Sequence, residues 1–305
     1  MIDFSLTEEQ RAVRQTAREF AEEEVEPVAR EHEESGEWPE AVWEAAVDAD
    51  LVGIGIPEEY GGAGMGQVEA TIFAEEVARA DAGMLAAIGT SFGTRMIAEY
   101  GSEAQKEWIL EGVATGELIG ALGNTEPEHG SDAASIETSA RRDGDEFVVD
   151  GVKTFITHGA IADYVLTTCR TGGPGHGGIS AIVVETDRDG FSVESEIHKM
   201  GWNASNTAQL RYDGVRVPAT NLVGTEDEGF YQLMEFFEEE RVGIAAQALG
   251  IARRCLDEAV DYVGRREQFG RPIGEFQAVR HTVADMAIKV ENARRLTYDA
   301  AARID

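Results

Sequence analysis

Lysine is almost absent from this 305-residue sequence, which contains only Lys106, Lys153, Lys199 and Lys289. Lys and Arg together number 26 against 58 Asp and Glu, so the formal net charge is -32 at pH 7. Nucleic-acid binding depends on basic residues that neutralise phosphates, so this balance argues against a nucleic-acid partner. A lysine-poor, carboxylate-rich composition is typical of proteins from salt-loaded cytosols, and we therefore expect a halophilic protein.

Cysteine is also scarce. Cys169 and Cys255 lie far apart, and neither has a Cys or His at ligand spacing, so the sequence indicates neither a disulfide framework nor a zinc site. We expect both thiols to be buried as small hydrophobic side chains. The six histidines stand in separate segments without paired spacing, and we therefore predict no metal centre and no His-based triad.

Long apolar runs are missing as well. No segment reaches about eighteen uncharged apolar residues, and the first residues, MIDFSLTEEQ, lack a basic start followed by an apolar run. These two absences predict a cytoplasmic protein with no membrane association. Hydrophobic residues make up 43% of the sequence and occur along its whole length, which indicates folded domains rather than a disordered acidic chain.

The hydrophobic periodicity changes twice along the chain. Helical spacing begins near residue 5, with Ser5 or Thr7 as the expected first cap, and gives way near residue 119 to strand-like runs such as EFVVDGVKTFIT. Helical spacing returns after Gly229. We predict an α+β fold with an N-terminal all-α domain (1–118), a middle β-barrel-like domain (119–224) and a C-terminal helical bundle (225–305).

The last predicted helix carries an apolar stripe at 3-and-4 spacing. Its members are Phe276, Val279, Val283, Met286, Val290, Ala293 and Leu296. Such a stripe packs against other helices of a bundle, and one long helical segment precedes it in this region. We therefore expect the C-terminal bundle to be incomplete.

The stretch NTEPEHGSDAAS (124–135) is rich in Gly, Pro, Asp and hydroxyl residues and lies between an apolar run and a strand-like run. Gly130 and Ser131 allow backbone N–H groups and a hydroxyl to approach a phosphate, and Thr125 can hydrogen-bond a polar ring edge. The alternative is an ordinary Asx or Ser turn. A second glycine-rich stretch, GPGHGG (173–178), lies between two predicted strands, and we interpret it as an inter-strand loop.

The acidic run EFFEEER (235–241) directly precedes the small residues of VGIAAQALGIA. Charge runs are usually solvated helix faces. Small side chains, however, let another backbone or a flat ligand approach closely. Glu240 and Arg241 border this region, so an acid and a guanidinium would stand beside a tight, dry pocket.

Four segments together resemble the acyl-CoA dehydrogenase family of flavoproteins. They are PEEYGGAGMG (57–66), TEPEHGSD (125–132), GVKTFITHGAIADY (151–164) and RREQFGRPIGEFQ (265–277). The resemblance runs in order along essentially the whole chain. It implies an N-terminal helical domain, a middle β-domain and a C-terminal four-helix domain, the same order that the periodicity indicates.

The resemblance implies an FAD cofactor. It implies that Thr125 bonds the isoalloxazine edge, that Ser131 reaches the pyrophosphate and borders the CoA channel, and that Phe155 covers the flavin while the Thr157 hydroxyl points at N5. The implied cofactor-binding residues are Leu122, Asn124, Thr125, Gly130, Ser131, Phe155, Ile156, Thr157, Arg266, Phe269 and Gln277. The last three resemble residues that reach FAD bound by a neighbouring subunit, so a homodimer or homotetramer is expected.

The implied reaction is α,β-dehydrogenation of an acyl-CoA to a trans-2-enoyl-CoA, as in fatty-acid β-oxidation, with electron-transferring flavoprotein as the acceptor. A carboxylate removes the α-proton while the β-hydrogen leaves as hydride to flavin N5. Glu240 matches the base of a minority of members, whereas most members place the base on a glutamate beyond the position that matches residue 305. Glu238, Arg241 and Ser131 match residues of the substrate site.

Two positions depart from the family pattern, since His158 stands where Asn is usual and Asn203 stands where Arg is usual. Other functions stay open beside the dehydrogenase. One is a non-catalytic or partner-dependent flavoprotein subunit that lacks the C-terminal base. Another is an oxidase or flavin monooxygenase on the same scaffold.

Overall fold

The computed structural model describes residues 5–305, without the side chain of Ser91. The predicted start of the N-terminal domain, residues 1–4, lies outside the described residues. The N-terminal part is helical and contains α1 (Glu8–Phe20), a π-helical segment (Ala21–Val25), α2 (Ala29–Ser35), α3 (Glu40–Asp48), α4 (Gln67–Ala80), α5 (Ala82–Ala87), α6 (Ser91–Tyr100) and α7 (Glu103–Ala114).

The middle part consists of strands and the C-terminal part is again helical. The strands are β1 (Gly120–Gly123), β2 (Ser139–Asp143), β3 (Glu146–Thr157), β4 (Tyr164–Arg170), β5 (Ile179–Glu185), β6 (Phe191–Glu196), β7 (Thr207–Pro218) and β8 (Leu222–Val223). They are followed by α8 (Gly229–Arg265), the short hairpin β9 (Glu267–Gln268) and β10 (Arg271–Pro272), and α9 (Gln277–Ile304). The predicted α+β class with this order of parts is confirmed.

Helix starts follow the local sequence signals. Thr7 caps α1, because its hydroxyl accepts from the Gln10 backbone N–H at 3.1 Å while the Gln10 side chain accepts from the Thr7 backbone N–H at 3.0 Å. Ser102 and Gln105 form the same reciprocal capping box at the start of α7. Each box satisfies two backbone donors that would otherwise lack a helical partner.

The chain divides into two compact units. The first, here called the helical unit, comprises the segments up to Arg30, Gly66–Leu85 and Arg241–Asp305. The second, here called the sheet unit, comprises Glu31–Met65 and Ala86–Glu240. The division into three domains at residues 118 and 224 stays a prediction.

The sheet unit is built on one eight-stranded sheet within the described residues. Its strand order is β6-β7-β3-β2-β4-β5-β8, and β1 pairs with β4 in parallel. Apolar side chains of the strands form one core, which includes Phe147, Val149 and Leu210. A second core joins Leu166 of β4 to Ile109 of α7 and to other side chains of α6 and α7. The two cores hold β1 and the end of β3 in place.

The helical unit buries part of its apolar surface around α4, which packs against α1 and α9. On α9, Val290 is buried, but Leu296 of the predicted stripe is 71% exposed. Among the described residues, no helix combines the length and the apolar character that a membrane span requires.

The prediction that both cysteines are buried is wrong for Cys255. Cys169 is buried in the sheet, whereas Cys255 is exposed on α8. The buried face of α8 is set by residues such as Ala246 and Leu249, which are 0% and 2% exposed. One small thiol contributes too little apolar area to decide which face of a helix turns inward.

Candidate active site

The loop that follows β1 is tied to strand β3. The Thr154 backbone N–H donates to the Thr125 carbonyl oxygen at 2.8 Å. The loop then closes a tight turn, in which the backbone N–H groups of Glu126 and His129 donate to each other's carbonyl oxygens at 2.9 and 3.2 Å. Asn124 is buried and Thr125 is half-buried. Thr125 therefore lies directly beside the C-terminal half of β3.

The tip of this loop is open on the side of Gly130. Gly130 and Ser131 are both exposed. Among the described residues, the atom nearest to a Cβ placed on Gly130 would be Thr125 Cγ2, at 4.0 Å. Because nothing crowds this backbone, a phosphate can approach its N–H groups. The structure thus brings Thr125 and the tip at Gly130–Ser131 together.

Strand β3 changes its register at Phe155. Lys153 pairs with Leu210 of β7 and Ile156 pairs with Ala208, so β3 uses one more residue than its partner over this interval. Such a β-bulge bends the strand and redirects a side chain. Phe155 has φ 58° and its side chain is 64% exposed.

The conformation of Phe155 is unfavourable for a bulky residue. A non-glycine residue with positive φ costs on the order of 1–3 kcal/mol and persists where surrounding structure imposes it. Here the cost is accompanied by exposure of a large aromatic ring, which adds no core packing in return. An exposed aromatic in a strained bulge indicates a surface that is shaped to contact a ligand.

The residues after the bulge are anchored more firmly. Ile156 is buried in the core and Thr157 is half-buried. His158, with φ 62°, is buried, and its Nε2 lies 2.9 Å from the Ala87 carbonyl oxygen while Nδ1 lies 3.3 Å from the Gly120 carbonyl oxygen. The edge of Phe92 contacts its ring, with the centroids 5.0 Å apart. Burial lowers the pKa of His158.

The acidic run 235–241 lies within helix α8. Glu238 is exposed, Glu240 is half-buried, and Arg241 is exposed. Burial raises the pKa of the intervening Glu239, and the guanidinium of Arg95, which pairs with it, opposes that shift. Glu240 belongs to the sheet unit and Arg241 to the helical unit. The assignment of Glu238, Glu240 and Arg241 to a substrate site stays a prediction.

Three further predicted residues lie in the helical unit, around the β9–β10 hairpin. Arg266 and Gln277 are exposed. Phe269 stands at the hairpin turn with φ 55° and is 93% exposed, and its ring meets Phe276 edge-on at a centroid distance of 6.0 Å. The structure places these three residues in a different unit from Thr125 and Phe155.

The sequence patterns did not single out two buried residues, one in the loop and one in β3. Lys153 of β3 is 0% exposed, and its Nζ lies 2.9 Å from Oε1 of Glu126, which is 6% exposed. Both belong to segments that carry the family resemblance, but a lysine within a strand is normally expected at the surface. The available signal was the rarity of lysine, since Lys153 is one of four in the chain.

Three family models together match nearly the whole chain. The model of the acyl-CoA dehydrogenase N-terminal domain matches residues 7–117, that of the middle domain 121–215 and that of the C-terminal domain 227–305. A short-chain specific acyl-CoA dehydrogenase of Clostridium acetobutylicum is 40% identical over 303 residues, which cover 98% of this chain and 80% of the relative. The chain belongs to the acyl-CoA dehydrogenase family.

Solved structures agree with this membership of the acyl-CoA dehydrogenase family. Butyryl-CoA dehydrogenase from Megasphaera elsdenii superposes with a TM-score of 0.94 at 36% identity, over 99% of this chain and 81% of that one. A glutaryl-CoA dehydrogenase from Mycobacterium smegmatis in complex with FADH2 superposes with a TM-score of 0.90 at 31% identity, over 96% and 75% of the two chains. The order of an N-terminal helical domain, a central sheet domain and a C-terminal helical part is that of the family.

Proposed function

We propose that this protein is an FAD-dependent acyl-CoA dehydrogenase that converts acyl-CoA thioesters to trans-2-enoyl-CoA. The observation that carries the proposal is the meeting of two segments in the sheet unit. Thr154 and Thr125 join them at 2.8 Å, and Phe155 beside this bond is strained and 64% exposed. Family membership assigns the general chemistry to an oxidoreductase, and these residues supply a surface suited to a flat cofactor.

The residues present fit FAD. A flat tricyclic ring needs an apolar face and a polar edge, which Phe155 and the half-buried Thr125 offer on two segments that the Thr154–Thr125 hydrogen bond joins. A pyrophosphate needs uncrowded backbone N–H groups, which the open tip at Gly130 and Ser131 offers. The proposed cofactor residues of the sheet unit are Leu122, Asn124, Thr125, Gly130, Ser131, Phe155, Ile156 and Thr157. FAD, when bound, supplies the hydride acceptor.

The chain's own part in the reaction is to hold the thioester and to move the α-proton. We assign proton removal to the carboxylate of Glu240, with Glu238 and Ser131 of the same unit bordering the acyl-CoA. A carboxylate in a water-poor pocket is a stronger base, because burial disfavours its charge. Glu240 is half-buried, which meets part of this requirement.

Two interactions with other molecules belong to the proposal. The exposed Arg266, Phe269 and Gln277 would reach FAD bound by a second copy of the chain, in a homodimer or homotetramer. Electrons would then pass to an electron-transferring flavoprotein. The strong exposure of Phe269, 93%, supports a contact with another molecule, because an aromatic side chain gains by leaving water.

The test is reduction of bound flavin by substrate. The protein is purified in high salt, loaded with FAD, freed of excess cofactor and mixed with butyryl-, isovaleryl- or palmitoyl-CoA. Bleaching of the flavin absorbance with formation of enoyl-CoA supports the dehydrogenase. Protein that takes up no FAD contradicts the proposal. Flavin that binds but is not bleached by any of the three favours the non-catalytic subunit, and oxygen consumption on substrate addition favours an oxidase or monooxygenase.

A further inference from the structure

A buried ion pair joins the loop that carries Thr125 to strand β3. The Lys153 ammonium and the Glu126 carboxylate are 2.9 Å apart, with side chains 0% and 5% exposed. Removing two charges from water costs several kcal/mol per ion, by order of magnitude, and an apolar pair of similar shape is often as stable. The stability of the fold alone is therefore a weak reason for this pair. Its other contacts indicate what it positions.

Glu126 holds the far end of the loop. Its Oε2 accepts from the Glu137 backbone N–H at 2.7 Å, and its Oε1 accepts from the Thr138 backbone N–H at 2.8 Å. Burial disfavours the charged carboxylate, but the charge of Lys153 and these donors outweigh burial and hold the pKa of Glu126 below its usual range. The carboxylate thus joins residue 126 to the segment that leads into β2.

Lys153 holds the near end of the loop. Its Nζ donates to the Asn124 carbonyl oxygen at 3.0 Å and lies 3.5 Å from the Thr168 hydroxyl. That hydroxyl donates in turn to the Asn124 side-chain oxygen at 2.9 Å. The residues on both sides of Thr125 are therefore fixed by one ammonium group, which donates to Asn124 and pairs with Glu126.

Lys153 is also the last residue of β3 in regular register before the bulge, two positions from Phe155. One side chain therefore links the backbone around Thr125 to the strand that turns Phe155 outward. We propose that Lys153 and Glu126 are positioning residues which preset the separation of Thr125 and Phe155 for the isoalloxazine ring. This inference rests on the proposed function.

The test replaces the whole pair by neutral side chains of similar size, in the variant Glu126→Gln with Lys153→Met. No unpaired charge remains in this double variant, so the sheet unit is expected to fold. FAD affinity, measured by fluorescence titration of the cofactor-free protein, is expected to fall about tenfold to a hundredfold, by analogy with the loss seen when residues that orient metal ligands are replaced. The visible absorption spectrum of bound flavin is expected to shift towards that of free FAD.

A matched control separates positioning from general stability. Asn221 is a buried polar side chain of the same unit, and its amide donates to the Val183 carbonyl oxygen at 2.8 Å and to Glu185 at 2.9 Å. Asn221→Ala is expected to lower the unfolding temperature while FAD affinity and the flavin spectrum stay as in the wild type. If Asn221→Ala weakens FAD binding as much as the double variant does, the pair has only a structural role and the inference is overturned.

A milder variant covers the case in which the double variant does not fold. Thr168→Val keeps the shape of the side chain and removes the hydroxyl that bonds Asn124, so FAD affinity is expected to fall several-fold. If the variant that folds keeps the FAD affinity and the flavin spectrum of the wild type, this inference is overturned while the proposed function stands. Wild-type protein that takes up no FAD overturns the proposed function, and this inference with it.

Discussion

At the scale of single residues, Glu240 is the group on which the proposed proton transfer depends. Replacement of Glu240 by Gln removes the basic oxygen and keeps the size of the side chain. We expect FAD and acyl-CoA to bind as before, while exchange of the substrate α-protons falls by at least about 100-fold, the usual contribution of a positioned base. Exchange of bound butyryl-CoA in deuterated buffer, followed by proton NMR, measures this directly.

The control for Glu240→Gln is Glu258→Gln on the same helix. Glu258 pairs with Arg254 one helical turn away, and its side chain is 57% exposed. This variant carries the same change of charge and is expected to exchange α-protons at the wild-type rate. If Glu240→Gln exchanges α-protons at the wild-type rate, another residue is the base.

His158 allows a prediction about pH. Burial lowers its pKa from the ordinary value of 6.5, so the unfolded chain binds this proton more readily than the folded chain. Folding stability from this group is therefore present above pH 6.5 and declines as the pH falls towards the folded-state pKa, with a limiting slope of about 1.4 kcal/mol per pH unit.

The variant His158→Asn tests this linkage. Asn cannot take up the proton, and it tolerates the positive φ of 62° at this position better than most residues. Urea unfolding midpoints are measured at neutral pH and about one pH unit below the ordinary pKa of histidine. Between these two conditions the midpoint is expected to decline less in the variant than in the wild type. An equal decline in both proteins would show that His158 is not the group responsible.

The residues of the site could be predicted only in part. Thr125, Ser131 and Phe155 stand in segments that resemble the family, and their assignment to a flavin site stays a prediction. The positive φ of Phe155 could not be predicted, because the bulge depends on how β3 pairs with β7, which lies more than fifty residues later. The burial of Lys153 could not be predicted either, because its partner Glu126 lies in a loop, where hydrophobic periodicity does not indicate which side chains are buried.

At the scale of elements, α4 carries two adjacent buried carboxylates that join it to other helices of the helical unit. Glu75 and Glu76 are 0% and 2% exposed. Arg253 of α8 donates to both, at 2.9 and 2.8 Å. Arg294 and Tyr298 of α9 donate to Glu75 at 3.1 and 2.6 Å. The two side chains thus connect α4 with α8 and α9.

Glu76→Gln tests this ionic centre. Burial disfavours the charge of Glu76, but hydrogen bonds from Arg18 and Arg253 outweigh it and hold the pKa of this carboxyl below 4.5. Its contribution to stability is therefore present above pH 4.5 and is lost as the pH falls through the folded-state pKa. We expect the variant to lose about 2 kcal/mol of unfolding free energy at neutral pH, because Arg18 and Arg253 each lose a charged hydrogen-bond acceptor while Arg253 keeps Glu75.

Urea unfolding at neutral pH and below pH 4.5 measures both effects in Glu76→Gln. Glu258→Gln again serves as the control, because an exposed pair within one helix contributes less than about 1 kcal/mol. The gap between Glu76→Gln and the wild type is expected to narrow on acidification. A gap that stays constant with pH would mean that the ionised carboxylate is not the source of the stability.

The elements themselves were largely predictable. Periodicity placed helices and strands in the right order, and Thr7 was one of two expected caps for the first helix. The orientation of single helices was less accessible. Which face of a helix is buried depends on the elements it packs against, and these are distant in sequence. The exposure of Cys255 on α8 therefore could not be predicted from the local sequence.

At the scale of the whole molecule, 58 acidic against 26 basic residues produce a charge of -32, and this repulsion opposes the compact state. Salt reduces the range over which charges interact from about 10 Å near 0.1 M to about 3 Å near 1 M. The same screening weakens exposed ion pairs such as Arg216–Asp143, whose contribution is small. Because the sequence holds more than twice as many acidic as basic residues, the release of repulsion is the larger effect.

We therefore expect the thermal unfolding midpoint to rise with KCl and most of the rise to occur below about 1 M, where screening is nearly complete. Potassium sulfate at equal ionic strength distinguishes screening from a general strengthening of apolar burial, because sulfate continues to stabilise at higher concentration through its exclusion from the protein surface. Equal early rises in both salts, followed by divergence, support charge repulsion as the cause. A midpoint that falls or does not change in KCl contradicts the expectation of a halophilic protein, since repulsion among the carboxylates would then not limit its stability.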